Sequence, residues 1–405
     1  MNQTKSDNIP KRLIYEAYLR VKANRGSAGV DEQSWRDFER DLENNRYKLW
    51  NRMSSGSYFP QAVKRVEIPK AGGGVRPLGI PTVVDRIAQM AVKMQIEAEL
   101  ERHFHPDSYG YRPHKSAHQA VAKVRERCWQ RAWVLDMDIK GFFDTIDHEL
   151  LLRAVDKHVS ESWQRLYIRR WLETAVQHPD GTLEHRTLGT PQGGVISPLL
   201  ANLFRHDVFD KWVERHGEDI WFVRYADDII CHCKTEQEAE TLREILTRRF
   251  ADCGLTLHPD KTQIVYCKSW KHKADYKRIS FDFLGFRFQP RLTKLQEGAL
   301  VICFLPAISP KAAKRIREEI NSWPWLRWVQ GQVREIIRHS QSKWRGWMEY
   351  YGKFGLGRIK HVLFHFDQKL TRGAMRKYKS LKTRWQAVKR VMAFQSRNPR
   401  LMPHW

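Results

Sequence analysis

Apolar positions along this chain switch between helical spacing and short extended runs. Leu13, Ile14, Ala17, Tyr18 and Val21 share one face of a helix predicted over residues 11–23, and Gly26-Ser27-Ala28-Gly29-Val30 ends it in a turn. A second helix is expected after Asp31, with Trp35, Phe38 and Leu42 on its apolar side. Residues 62–69 alternate as a strand, Lys70-Ala71-Gly72-Gly73-Gly74 turns, and Val75 to Pro81 returns extended. Residues 83–102 and 116–130 read as helices, the second capped by Ser116. Ala132 to Asp138 is an apolar strand, and further helices are expected at 147–158, 162–178, 199–215 and 235–252. Ile220-Trp221-Phe222-Val223 and Ile229-Ile230 flank Tyr225-Ala226-Asp227-Asp228, which predicts two strands with a tight turn at the two aspartates. Asp252 to Leu255 stops a helix and starts a short strand, Asp282 to Phe288 is another strand, and from about residue 308 the pattern is helical and basic. Lys268 to Lys277 is the most loop-like stretch of the middle, and no internal repeat appears.

At 405 residues and 41% hydrophobic content, two or three globular domains are expected. The polar start, Met1 to Asn8, carries no secretory signal, and no run of about 18 apolar residues suggests a membrane span. The six cysteines form no C-x-x-C pair, which argues against a zinc ribbon or a disulfide framework and fits a reduced, cytoplasmic protein. Cys231-His232-Cys233 falls on a predicted strand and reads as core packing rather than a metal site. The charge of +25 is uneven, since residues 291–405 hold 25 Lys and Arg against 6 Asp and Glu. Trp323, Trp325, Trp328, Trp344, Trp347, Trp385 and Trp405 lie in the same stretch. Cations meet phosphates while rings stack on bases or close a small core, so a nucleic-acid partner is expected there and a membrane is not.

The chemistry centres on carboxylates. Asp138 ends one predicted strand and Asp227-Asp228 sits on a hairpin; if those strands are neighbours, three carboxylates converge. Two-metal phosphoryl transfer needs such a set, with divalent ions roughly 3.5–4 Å apart. Asp136 shares the face of Asp138, whereas Asp144 and Asp147 read as helix caps.

Asp138-Ile139-Lys140-Gly141-Phe142-Phe143-Asp144 together with Tyr225-Ala226-Asp227-Asp228 resembles the first and third palm motifs of reverse transcriptases, in particular the group II intron-encoded maturase class of bacteria. Further matches in the family's order are Asn24 to Asp31, Ile68-Pro69-Lys70, Arg76 to Thr82, Ser108 to Pro113, Gly189 to Pro198, Leu257 to Thr262 and Phe283 to Phe286. Together they cover about residues 24–288. The resemblance implies an α+β right-hand polymerase fold: an N-terminal extension (1–60), fingers and a palm with a small antiparallel sheet (61–290), and an all-α basic thumb or maturase domain (291–405). It implies two Mg²⁺ ions, with Mn²⁺ an alternative, on Asp138, Asp227 and the backbone carbonyl of Ile139, with Asp228 supporting the site. Lys70 and Arg76 would neutralise the triphosphate of an incoming dNTP. Phe142 would block a 2′-hydroxyl, with Phe143 in the core, and Gln192 and Gly193 would line the floor under the nascent base pair. Lys261 would contact the palm or the phosphate, and Arg112 would serve either the template or a structural salt bridge.

Lys343 to Tyr351 and Pro399 to Trp405 resemble the family's maturase region. The implied partners are a group II intron RNA, an RNA template with a DNA or RNA primer, target DNA and dNTPs, in the bacterial cytoplasm and at the nucleoid when bound to DNA. No segment has the Cys/His spacing of the endonuclease that some relatives carry, so the chain is expected to lack its own second-strand nuclease. The resemblance implies an RNA-directed DNA polymerase and maturase that binds the intron RNA, assists its splicing and copies it into cDNA during retromobility, and two alternatives stand beside that reading. One is a domesticated relative in phage defence or DNA repair; the other is an RNA chaperone without polymerase activity.

Overall fold

The computed structural model describes residues 9–69, 74–217, 219–294, 297–323, 325 and 333–397. The chain divides into two compact units, one made of Met1–Ser116, Leu135–Cys231 and Glu236–Gln263, the other of Ala117–Val134, His232–Thr235 and Ile264–Trp405. Among the described residues no helix is long and apolar enough to cross a membrane.

The strands of the first unit are β1 (Val63–Pro69), β2 (Val75–Ile80), most of β3 (Trp133–Met137), β4 (Val176–Gln177), β5 (Leu183–Glu184), β6 (Trp221–Tyr225) and most of β7 (Asp228–Cys233). Its first helix, Lys11–Lys22, buries Leu13, Ile14, Ala17, Tyr18 and Val21 against the Val83–Glu101 helix. The helix expected after Asp31 is two helices, Trp35–Arg40 and Leu42–Ser54. Asp41 leaves the helical region (φ −134°, ψ 55°) and breaks it, while a Ser34–Asp37 capping box starts the first of the pair. Thr82 caps the Val83–Glu101 helix by accepting from Asp85 N at 3.1 Å. The buried Asp85 carboxylate also accepts from the Tyr58 hydroxyl.

One sheet runs β2–β1–β4–β5, with β1 and β2 an antiparallel hairpin that pairs Arg65 with Gly79 and Ile68 with Arg76. A second sheet begins β6–β7–β3. The helix predicted over 162–178 stops at Leu172, because Val176 and Gln177 enter β4 beside β1. The helix predicted over 199–215 is α-helical at Ser197–Arg205 and Lys211–His216, with a π-helical turn, His206–Asp210, between them. The short strand expected after Asp252 is only an isolated bridge between Leu257 and Ile139.

The second unit holds β9 (Phe281–Phe283), β10 (Phe286–Lys294) and β11 (Leu300–Ile308), after β8 (Gln263–Tyr266), whose first residue belongs to the first unit. The expected 282–288 strand is split at Leu284-Gly285, where both residues take positive φ and reverse the chain. Residues 291–294 and 300–308, which the resemblance includes in an all-α domain, belong instead to an antiparallel hairpin running from Phe286↔Ile308 to Lys294↔Leu300. Helices start at Pro310–Ser322, close to the expected residue 308, where Ser309 caps and Pro310 opens the first turn. They continue as Val333–Lys377, kinked at Gly355, and Arg384–Arg397. Trp323 and Trp344 are buried, and Trp344 meets Phe366 edge-on at 4.2 Å, so these rings close a core. Trp385 is 64% exposed with Lys389 Nζ 3.6 Å above its ring. Trp328, Trp405 and the Pro399–Trp405 segment lie outside the described residues.

Candidate active site

The hairpin turns one residue earlier than expected. Ala226 takes a left-handed φ of +51° and forms the turn with Asp227, so that Asp228 is already the first residue of β7. This offset separates the two carboxylates. Asp227 stands on the turn and lines a cavity of about 380 Å³ with Asp138, Ile139, Arg76, Phe143, Gln192, His258 and Lys261. Asp228, half-buried at the start of β7, feels both other charges. Its carboxyl is pushed up to about 7, first by burial and then by Asp227 and Asp138, with Arg205 and Lys261 opposing. The adjacency of β7 and β3 is what brings Asp138 to this pair.

Backbone bonds hold the Asp138 end of β3. His258 N donates to Asp138 O at 2.7 Å and Lys140 N to Thr256 O at 2.9 Å. Lys261 Nζ sits 2.8 Å from Asp138 Oδ2, so an ammonium occupies cation-binding space at this carboxylate. Asp136, two residues back, accepts from Gln263 Nε2 at 3.0 Å.

Arg76 on β2 donates from Nε to Gln192 Oε1 at 2.7 Å, and Gln192 Nε2 donates to Asp144 at 3.0 and 3.1 Å. Asp144 is therefore part of the cavity wall and not the helix cap expected of it, because the turn it follows points its carboxylate at the Gln192 amide. Asp147 does cap, accepting from Leu150 N at 2.8 Å. Gly193 has φ +123°, and a Cβ there would lie 2.4 Å from Gly79 O, so only glycine lets this turn abut β2. The same logic applies to Gly110, where a Cβ would lie 2.2 Å from Ala226 N, directly behind the catalytic-type turn. Lys70 lies outside the described residues.

The two phenylalanines differ in burial. Phe142 is only 2% exposed and packs beneath the floor, its ring centroid 3.3 Å from the Arg205 guanidinium carbon and 6.2 Å from Phe204. Both rings line the cavity, and Phe143, half-buried, is the more exposed of the two. Gly141, at a positive φ of +59°, starts the Phe142–Thr145 turn. Arg112 is structural: it is buried, pairs with Glu101 at 2.8 Å and donates to the carbonyls of His105 and Ser108 at 2.7 Å.

Sequence reasoning missed the polar layer under the hairpin. Arg224 on β6 makes a fully buried pair with Asp210 at 2.7 Å and donates to Asn202 Oδ1 at 3.0 Å, and Asn202 Nδ2 donates to Gly110 O at 2.7 Å. Burial pushes the Asp210 carboxyl up, but Arg224 and His206 outweigh it and hold Asp210 down to about 2. Arg205 is fully buried, with Nε and Nη2 lacking hydrogen-bond partners. Burial and Arg224 bring it down to about 9, against the pull of Asp227 and Asp228. The available signal was Asn202 and Arg205 interrupting the largely apolar stretch from Leu199 to Phe209, which Asp210 ends.

Residues 68–288 match the reverse transcriptase (RNA-dependent DNA polymerase) family, and residues 313–391 match the group II intron, maturase-specific domain. Protein YkfC of Escherichia coli is 31% identical over 324 residues, 70% of this chain and 81% of that protein. The group II intron-encoded protein LtrA of Lactococcus lactis is 34% identical over 205 residues, half of this chain but only 33% of LtrA. A telomerase structure from Candida albicans, in complex with a fragment of telomeric RNA, aligns over 82% of this chain and 62% of its own, at TM-score 0.46 and 12% identity, too distant to weigh here. The family's fold is the right-hand polymerase, with small antiparallel sheets and a helical C-terminal region, and its members use divalent metal ions. By the span of both matches, this chain belongs to the reverse transcriptases, RNA-dependent DNA polymerases, and carries the maturase-specific domain of group II intron proteins.

Proposed function

We propose that Asp138, Asp227 and Asp228, with the Ile139 carbonyl, hold two Mg²⁺ ions, or Mn²⁺ in their place, for RNA-templated DNA synthesis. The observation that carries this reading is the charge imbalance of the site. Three carboxylates meet where burial already drives one of them toward neutrality, and the nearest direct counter-charge is an exposed lysine on Asp138. Such a donor set suits hard, oxygen-seeking cations. Divalent ions there would activate a primer 3′-hydroxyl and neutralise charge developing on the phosphates.

The remaining roles fall to the protein. Arg76, aimed by its bond to Gln192, is placed to take the triphosphate of a dNTP, together with Lys70. Gln192 and Gly193 form a rigid floor because the Gln192 amide is clamped between Arg76 and Asp144 and the backbone abuts Gly79. Lys261, which pairs with Asp138, would be free to meet phosphate once that carboxylate held a metal ion. Phe143, the more exposed of the two rings that line the cavity, would exclude a 2′-hydroxyl, while the buried Phe142 shapes the floor over Arg205.

In this reading residues 1–60 are the extension, 61–290 the fingers and palm, and 291–405 the thumb, joined by the β10–β11 hairpin that spans residue 290. The basic stretch grips an RNA template with a DNA or RNA primer, and the intron RNA during splicing. Copying at a DNA target would follow, in the bacterial cytoplasm and at the nucleoid. Primer extension on poly(rA)/oligo(dT) with dTTP and Mg²⁺ tests the proposal. Extension by the parent and none by Asp227→Ala is expected; equal extension by both would end it.

A further inference from the structure

The His148–His158 helix ends beside the π-helical turn His206–Asp210. There His158, His206 and Asp207 each offer one ligand atom, all within 4.8 Å of one another. His158 Nε2 lies 3.2 Å from Asp207 Oδ1, and Lys157 Nζ lies 3.1 Å from the same oxygen. His206 has no exposed surface, and neither of its ring nitrogens has a hydrogen-bond partner. An imidazole buried with both nitrogens unbonded calls for a ligand that the described residues do not supply.

The surroundings point to a metal. His206 Nδ1 faces Asp210 Oδ2 at 3.6 Å, longer than a hydrogen bond but in the place of the carboxylate that orients a metal-bound histidine through its far nitrogen. Asp210 is itself fixed by Arg224 at 2.7 and 3.0 Å. Phe104 lies edge-on against His206 at 5.6 Å, and the His103 ring lies tilted at 5.1 Å from the His158 ring. A π-helical turn, often found at functional sites, sets His206 and Asp207 beside the helix end.

We propose that His158, His206 and Asp207 bind a borderline divalent transition metal, Zn²⁺ foremost, at a site separate from the carboxylate cavity. Two imidazoles and one carboxylate suit Zn²⁺ and disfavour Mg²⁺, which seeks oxygen ligands. Water or His103 takes the fourth position. The bound ion fastens the end of the His148–His158 helix to the helical segment that carries Arg205, and through Asp210 and Arg224 to β6.

The test is titration of the metal-stripped full chain with Co²⁺ as a spectroscopic probe, followed by Zn²⁺. One equivalent should bind in the micromolar range or tighter, with ligand-field bands of a nitrogen- and oxygen-ligated ion. Zn²⁺ should abolish those bands, and excess Mg²⁺ should not. The melting temperature should rise by a few degrees on Zn²⁺ addition. His158→Gln and Asp207→Asn, at partly exposed positions, should each weaken binding by at least about tenfold. Asp227→Asn should leave the bands in place. Absence of stoichiometric binding, retention of parental affinity in both ligand variants, or loss of the bands in Asp227→Asn would overturn the proposal.

Discussion

Asp228→Asn removes a charge that the fold holds at a disadvantage, and the size of the effect follows from the site. Folding moves the Asp228 carboxyl from its ordinary 3.8 to about 7, through burial and the charges of Asp227 and Asp138. Below pH 4 both states are protonated and the group is neutral toward stability. Between pH 4 and 7 the folded protein keeps a proton that the unfolded chain has released, so stability falls as pH rises, and the loss levels off above about 7. The full displacement corresponds to an upper limit of roughly 4 kcal/mol. Partial solvation at the cavity edge should reduce it to about 1–2 kcal/mol. Thermal melts in EDTA at about pH 5 and about pH 8, parent against Asp228→Asn, read it directly. The asparagine does not titrate, so the variant should gain about 2–6 °C over the parent on going to the higher pH, for a unit of this size. Added Mg²⁺ should close the gap at high pH by stabilising the parent alone. A parent–variant difference that is independent of pH, or that favours the parent at pH 8 without metal, would refute the reasoning.

Other consequences are equally direct. Phe143→Ala should raise ribonucleotide incorporation relative to deoxynucleotide by about tenfold or more, since a ring filling the sugar pocket is worth ~1–3 kcal/mol of discrimination. Phe142→Ala should instead cost about 3–5 kcal/mol of stability and leave the sugar ratio alone; single-nucleotide extension and melting curves separate the two, and the reverse outcome would restore Phe142 to the sugar. Asp210→Ala strands the buried Arg224 guanidinium and should destabilise by about 3–5 kcal/mol, so an unchanged melting temperature would contradict the buried pair. RNA binding should weaken with salt along a log–log slope of roughly −6 to −7 if about eight phosphates are neutralised, and a filter-binding slope near zero would dismiss an electrostatic grip.

How much of this was legible in the sequence depends on what each element buries. The carboxylate hairpin was readable because apolar runs on both sides of Tyr225–Asp228 are core strands, and Phe222, Val223, Ile229 and Ile230 are indeed at most 1% exposed. The β10–β11 hairpin was not, because its far end buries little: Leu292 and Leu300 are 68% and 65% exposed, which erases the alternation that marks a strand. Phe142 and Phe143 are identical neighbours, and nothing in the sequence marks which of the two rings is buried and which is half-buried. The Asn202–Asp210–Arg224 layer and the His158–His206–Asp207 cluster join residues far apart in the chain. A lone polar residue on an apolar helix face announces neither its partner nor its purpose. Arg112 shows the converse, a motif residue whose four bonds are all internal.

The central claim is that the three carboxylates perform nucleotidyl transfer on an RNA template. The most direct measurement pairs primer extension with RNA binding in the same preparations of the parent, Asp138→Asn and Asp227→Asn. The account predicts that the parent extends oligo(dT) on poly(rA) only with a divalent ion present. Both variants should lose at least about a thousandfold in rate while retaining parental affinity for RNA. Extension that survives either substitution, or that proceeds undiminished in EDTA, would contradict it.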